Sequence, residues 1–176
     1  MKAQGFDARS DAAPFDPART GSGVPAPWRL LLRALADGID GAIGAGERDG
    51  LLRGVGARLA ALSPLPAAAT LDVLEIEMND ALDAMALGRT SLILDESARV
   101  LLIQHTGLPR IGSAGTPPGA WLSALLEGLY EAWFAQQPGA EPGLTARRTL
   151  GGTAERVALR YGRGSAVGAD TRPTPP

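Results

Sequence analysis

The chain has 176 residues, a formal net charge of −2 and a pI of about 5.4. Near-neutral charge argues against a general nucleic-acid or anionic-membrane binder. The absence of cysteine excludes disulfides, thiol nucleophiles and Cys-based zinc sites.

No run of ~20 apolar residues could span a bilayer. The opening MKAQGFDARSDAAPFDPARTG is polar and does not read as a secretory signal, so a soluble cytoplasmic protein is expected. Residues 1–26 and 162–176 have no apolar period that would offset their ordering entropy, and both are expected to be disordered extensions. One domain over 27–161 remains, long enough for a sizeable core.

Along that domain, Leu31, Leu32, Leu35 and Ile39 recur at helical spacing and predict a first helix over 28–43, with Pro27 near N1. A second fits 47–62, carrying Leu51, Leu52, Val55, Leu59 and Leu62. Gly54 and Gly56 weaken it by about 1 kcal/mol each relative to Ala, but such small residues permit close packing against a neighbour. Thr70 is a plausible N-cap for a third helix, with Gly88 as its C′ residue. Its stripe of Leu71, Leu74, Met78, Ala81 or Leu82, and Met85 suits either core packing or helix pairing across a two-fold axis.

The period then shortens. Residues 91–94 and 99–103 read as a hairpin around Asp95–Ala98. A fourth helix is expected over about 118–136, with Trp121, Leu122, Leu125, Leu129 and Phe134 or Ala132 on its apolar face. A second hairpin pairs 144–150 with 155–161 around Gly151-Gly152, and the alternation of 156–161 suggests an edge or one-face-exposed strand. The fold class is α+β: helices, then two β-hairpins forming a small antiparallel sheet with a long helix packed on it. The hairpins leave sheet edges to be covered, which favours self-association.

Catalytic patterns are sparse. His105 is the only histidine, so any triad would need it; a strand-end histidine bonding a loop carbonyl is the plainer reading. Asp72 with Glu75, or Asp80 with Asp83, share a helix face and could be imagined as a glycosidase pair, but helical i,i+3 carboxylates also arise on any solvated face. The Gly-rich 112–119 loop lacks the Gly-Lys-Ser/Thr of a phosphate-binding loop, and the only lysine is Lys2. No cofactor or metal is implied. Trp28, Trp121, Trp133, Tyr130 and Tyr161 could stack on sugars, but core or subunit-interface packing is preferred for Trp121 and Trp133.

The stretch LPRIGSAGTPPGAWLSALLEGLYEAWFAQQPG at 108–139 carries a longer signature. It closely resembles the bacterial cellulose synthase D-protein family, with weaker similarity over about 28–162. The resemblance implies a non-catalytic accessory subunit that assembles as a cylindrical homo-octamer, a tetramer of dimers. It would help order, export and crystallise glucan chains beside the cellulose synthase complex, with a cellulose-complementing protein as a further partner. The family's compartment has been argued both ways, leaving the periplasm as the alternative. The residues that carry the resemblance are Gly112, Ser113, Gly115, Gly119, Trp121, Glu127, Gly128, Tyr130, Trp133, Pro138 and Gly139. They are structural-motif or interface candidates, the glycines for backbone geometry and the aromatics for core or interface. The competing readings are a small-molecule-binding or sensory domain, with its ligand between the fourth helix and the sheet, and a glucan hydrolase.

Overall fold

The computed structural model describes residues 26–111, 122–149 and 156–163. Most of the terminal extensions, most of the Gly-rich loop and the Gly151-Gly152 turn lie outside them, but helix and strand reach further than expected: Ala26 opens the first helix, and Gly162 and Arg163 close the last strand. Four helices and four strands follow in the order α1 (Ala26–Ala42), α2 (Ala45–Leu62), α3 (Leu71–Ala84), β1 (Arg89–Asp95), β2 (Val100–Thr106), α4 (Ser123–Ala135), β3 (Leu144–Arg148) and β4 (Arg156–Arg163). The fold is α+β.

Local chemistry sets the boundaries. Thr70 Oγ1 accepts from Val73 N at 3.3 Å and opens α3. That helix closes earlier than expected. Leu87 N donates to Leu82 O and Ala86 N to Asp83 O, the Schellman pattern, so the C′ position is Ala86 with φ 52° rather than Gly88. Gly88 serves another need. A Cβ there would lie 2.1 Å from the Thr106 carbonyl oxygen, so only glycine lets the entry to β1 pass the end of β2.

The sheet is antiparallel throughout, in the order β1-β2-β4-β3. β4 is therefore an interior strand. Its alternation records one buried face, centred on Leu159, and not an edge. Leu101, Ile103 and His105 of β2 lie opposite Tyr161, Leu159 and Val157 of β4, and this row faces α4. In the α3 stripe, Leu74, Met78 and Leu82 are buried in the chain's own core, which decides between the two readings of that stripe.

The sheet edges are covered from within. Asn79 of α3 accepts from Thr90 N at 2.8 Å and donates to Thr90 O at 3.0 Å, and Glu75 accepts from Leu92 N at 2.7 Å. On the opposite edge, Glu131 of α4 accepts from Ala146 N at 3.2 Å and Glu127 from Arg148 N at 2.9 Å. Each pair is i,i+4 on a helix, a rise of about 6 Å, and meets i,i+2 on a strand, a rise of about 6.7 Å. Helix side chains thus stand in for a fifth strand on both sides. These contacts cover part of each edge without a second copy.

Asn79 is buried and holds two backbone groups of Thr90 at once. Asn79→Ala leaves both without partners and is expected to reduce unfolding free energy by about 3 kcal/mol in urea titrations. A loss below about 0.5 kcal/mol would show that the edge does not depend on this contact.

Candidate functional site

The carriers of the sequence signature converge on α4. From Ser123 to Tyr130 every residue of this helix is buried, as are Trp133 and Phe134. It is enclosed by α2 on one side and by β3 and β4 on the other. A helix apolar on one stripe cannot occupy such a place, so α4 uses a glycine, a carboxylate and an aromatic pair on its different faces.

Glycine sets the crossing with α2. A Cβ on Gly128 would sit 1.9 Å from the Arg53 carbonyl oxygen, and one on Gly56 would sit 2.0 Å from the Leu125 carbonyl oxygen. Each helix meets the other's backbone at a glycine. The packing role expected for the small residues of α2 holds for Gly56. It does not hold for Gly54, whose Cβ would meet open space.

Glu127 follows next in space. Its side chain is 3% exposed, and a buried carboxylate needs partners. Arg53 Nη1 donates to Oε2 at 2.9 Å, while Arg148 donates to Oε1 from Nε at 3.0 Å and from its backbone N at 2.9 Å. Arg148 also donates to Ser123 Oγ at 2.9 Å and pairs with Asp49. Asp49 and Asp40 both pair with Arg48. Burial would lower the Arg148 pKa, but the Asp49 and Glu127 carboxylates outweigh it and hold the guanidinium above its ordinary range. One charge network therefore joins α1, α2, α4 and β3.

On the sheet side, His105 is fully buried. Its Nε2 lies 2.8 Å from the Leu87 carbonyl oxygen, which can only accept, so Nε2–H donates there. The Tyr130 hydroxyl then donates to Nδ1 at 2.6 Å. Burial lowers the His105 pKa to about 4 and raises that of Tyr130. Both ring nitrogens are committed, and the imidazole is neutral at pH 7. The strand-end reading of His105 is the one this geometry supports.

The last turn of α4 anchors the Pro-rich linker. Trp133 Nε1 donates to Ser63 O at 2.9 Å, and Gln136 Nε2 donates to Ala60 O at 3.2 Å. Gln136 and Gln137 accept from Leu65 N and Ala68 N, and Gln137 Nε2 donates to Pro66 O. Tyr130 and Trp133 meet edge to face, so both belong to the core of this chain. Pro138 and Gly139 lie at the surface after α4, and Gly139 turns at φ 78°. Gly112, Ser113, Gly115, Gly119 and Trp121 lie outside the described residues.

The acids of α3 do not form a reacting pair. Glu75 holds β1, Asp83 pairs with Arg89 on the surface, and Asp72 and Asp80 are exposed. Among the described residues no three His, Asp or Glu side chains cluster as a metal site. The space between α4 and the sheet, where a sensory domain would hold its ligand, is filled by Ile103, Leu129, Tyr130 and Leu159. An open groove of about 830 Å³ lies elsewhere, at the end of the sheet beside Leu94, Arg99 and Tyr161.

The signature centred on α4 has counterparts. Residues 18–162 match the family model for the D subunits of cellulose synthase. The chain belongs to this family. A Komagataeibacter xylinus protein described as cellulose synthase operon protein D is 41% identical over 113 residues, covering 64% of this chain and 72% of the relative. A Komagataeibacter sucrofermentans protein of the same description has the same identity and coverage. Among the described residues, no helix is long and apolar enough to cross a membrane.

Sequence reasoning placed Glu127, Gly128, Tyr130 and Trp133 on the right helix, but not the roles of Arg53, Arg148 and Asp49. Arg148 lies 21 residues from Glu127 and 99 from Asp49, and no local pattern links them. Gln136 was legible in principle, as a second amide beside Gln137 at a helix end.

Two outcomes follow from this geometry. Gly128→Ala is expected to cost at least about 3 kcal/mol, because backbone must move, whereas Gly54→Ala should gain up to about 1 kcal/mol. Thermal melts of the two single variants separate close crossing from glycine flexibility. His105 is a base whose folded pKa is depressed, so the unfolded chain binds its proton more readily. Its contribution is complete above about pH 6.5 and is lost as pH falls through about 4. Wild type should lose about 3 kcal/mol more than His105→Gln over that window, measured by urea titration at fixed pH values.

Proposed function

We propose that this chain is a non-catalytic accessory subunit of bacterial cellulose synthesis, working as a homo-oligomeric scaffold beside the synthase complex. The observation that carries this reading is the family match over residues 18–162, with relatives described as cellulose synthase operon proteins. The non-catalytic part is supported by where the polar groups go. His105 is committed on both nitrogens, Glu127 is held by two arginines, and Glu75 holds the β1 edge. The structural-motif candidates at Glu127, Gly128, Tyr130 and Trp133 build the rigid centre of the fold. On this reading a tetramer of dimers in the cytoplasm orders glucan chains and meets the cellulose-complementing protein.

Light scattering behind a sizing column tests the assembly. A species near eight times 18.1 kDa is expected, and a monomer at every concentration would remove the scaffold reading. Deleting the gene from a cellulose-secreting host should lower cellulose yield or order while glucosyl transfer by the synthase persists. Loss of glucosyl transfer itself would point to a catalytic part instead.

A further inference from the structure

The scaffold reading needs a contact between copies, and among the described residues the most exposed apolar element is α1. Leu30, Leu31 and Leu35 are 76%, 48% and 50% exposed, although leucine at three places on one helix is ordinarily covered. At 100° per residue, Leu30, Leu31, Ala34, Leu35, Gly38 and Ala42 fall within one arc of about 140°. All six are exposed, and Cβ atoms at Gly38 and Gly41 would meet open space. The charged residues Arg33, Asp37 and Asp40 fall in a separate narrow strip. The inner face, with Leu32 and Ala36, reaches the core, and α2 is the only described element that α1 touches.

Resting on that scaffold reading, we propose that this outer face of α1 packs against the same face of α1 from a second copy. The arc carries no charge, so identical faces meet without repulsion and offer nothing that would select a charged partner. Small residues at Ala34, Gly38 and Ala42 allow close approach between the flanking leucines, the arrangement already used where α2 crosses α4. The two terminal segments have little to cover this face. Residues 1–25 hold only Met1, Phe6, Phe15 and Val24 as large apolar side chains, and residues 164–176 only Val167, none at helical spacing. A bilayer is a poor match, because the polar strip mixes signs and lacks lysine. A stable interface buries roughly 800 Å² per partner, more than one helix face of about 25 Å supplies. Leu51 and Val55 are exposed on α2, the described element beside α1, and are available to extend it.

The full chain carrying Leu31→Glu and Leu35→Glu tests the contact by light scattering. Both positions are exposed in the single chain, so its circular-dichroism melt should change little while the mass falls about twofold or more. If wild type assembles and the variant keeps the same mass, the α1 contact is wrong and the scaffold reading stands. If wild type is monomeric at every concentration, both fall. Because the chain has no cysteine, Leu35→Cys provides an independent readout should the double variant misfold. A short bis-maleimide should link it into dimers far faster than Glu96→Cys, which places the thiol in the exposed β1–β2 turn. Equal linking of the two would overturn the proposal.

Discussion

Taking a carboxylate out of water is costly unless positive charge and hydrogen-bond donors meet it. Glu127 is in that position, at the middle of a helix with no free side. Its partners come from α2 and β3, and through Arg148 and Asp49 the same demand reaches the start of α2 and then Asp40 of α1. Four elements are thereby oriented by one side chain. Apolar packing supplies most of the stabilisation, but it is non-directional, and this network helps fix which neighbour sits where.

The two helices that flank the sheet also share a geometric coincidence. Four residues along a helix and two along a strand cover nearly the same distance, so side chains one turn apart can serve alternate backbone amides. α3 does this with Glu75 and Asn79, and α4 with Glu127 and Glu131. Glu127 therefore works twice, as a charge partner and as an edge acceptor. A four-stranded sheet with such edges is poorly suited to growing by strand addition.

Much of the fold was legible because it is written in local periods. The helices and hairpins show themselves in the spacing of leucines, the cap at Thr70, the short apolar runs after Ser91 and the alternation of 156–161. The glycine of α4 was visible as a position, and its reason was not, since the atom that excludes a Cβ belongs to Arg53, 75 residues away. The C′ assignment failed for a related reason. Glycine is favoured at a left-handed position, but Gly88 was needed against Thr106, and Ala86 took the turn. The edge reading of β4 failed because strand order depends on how α4 returns the chain between β2 and β3. Alternation reports one buried face, not which neighbours a strand has.

Strand order also has a consequence in time. β2 pairs with β4, yet α4 and β3 lie between them in the chain. During synthesis the β1–β2 hairpin is complete about fifty residues before β4 begins, an interval of roughly 3 to 10 s at ordinary elongation rates. For that time the inner edge of Val100–Thr106, an apolar run, has no strand beside it. The nascent chain must shield that edge before its own partner exists, and a cell making this protein quickly holds many such edges at once.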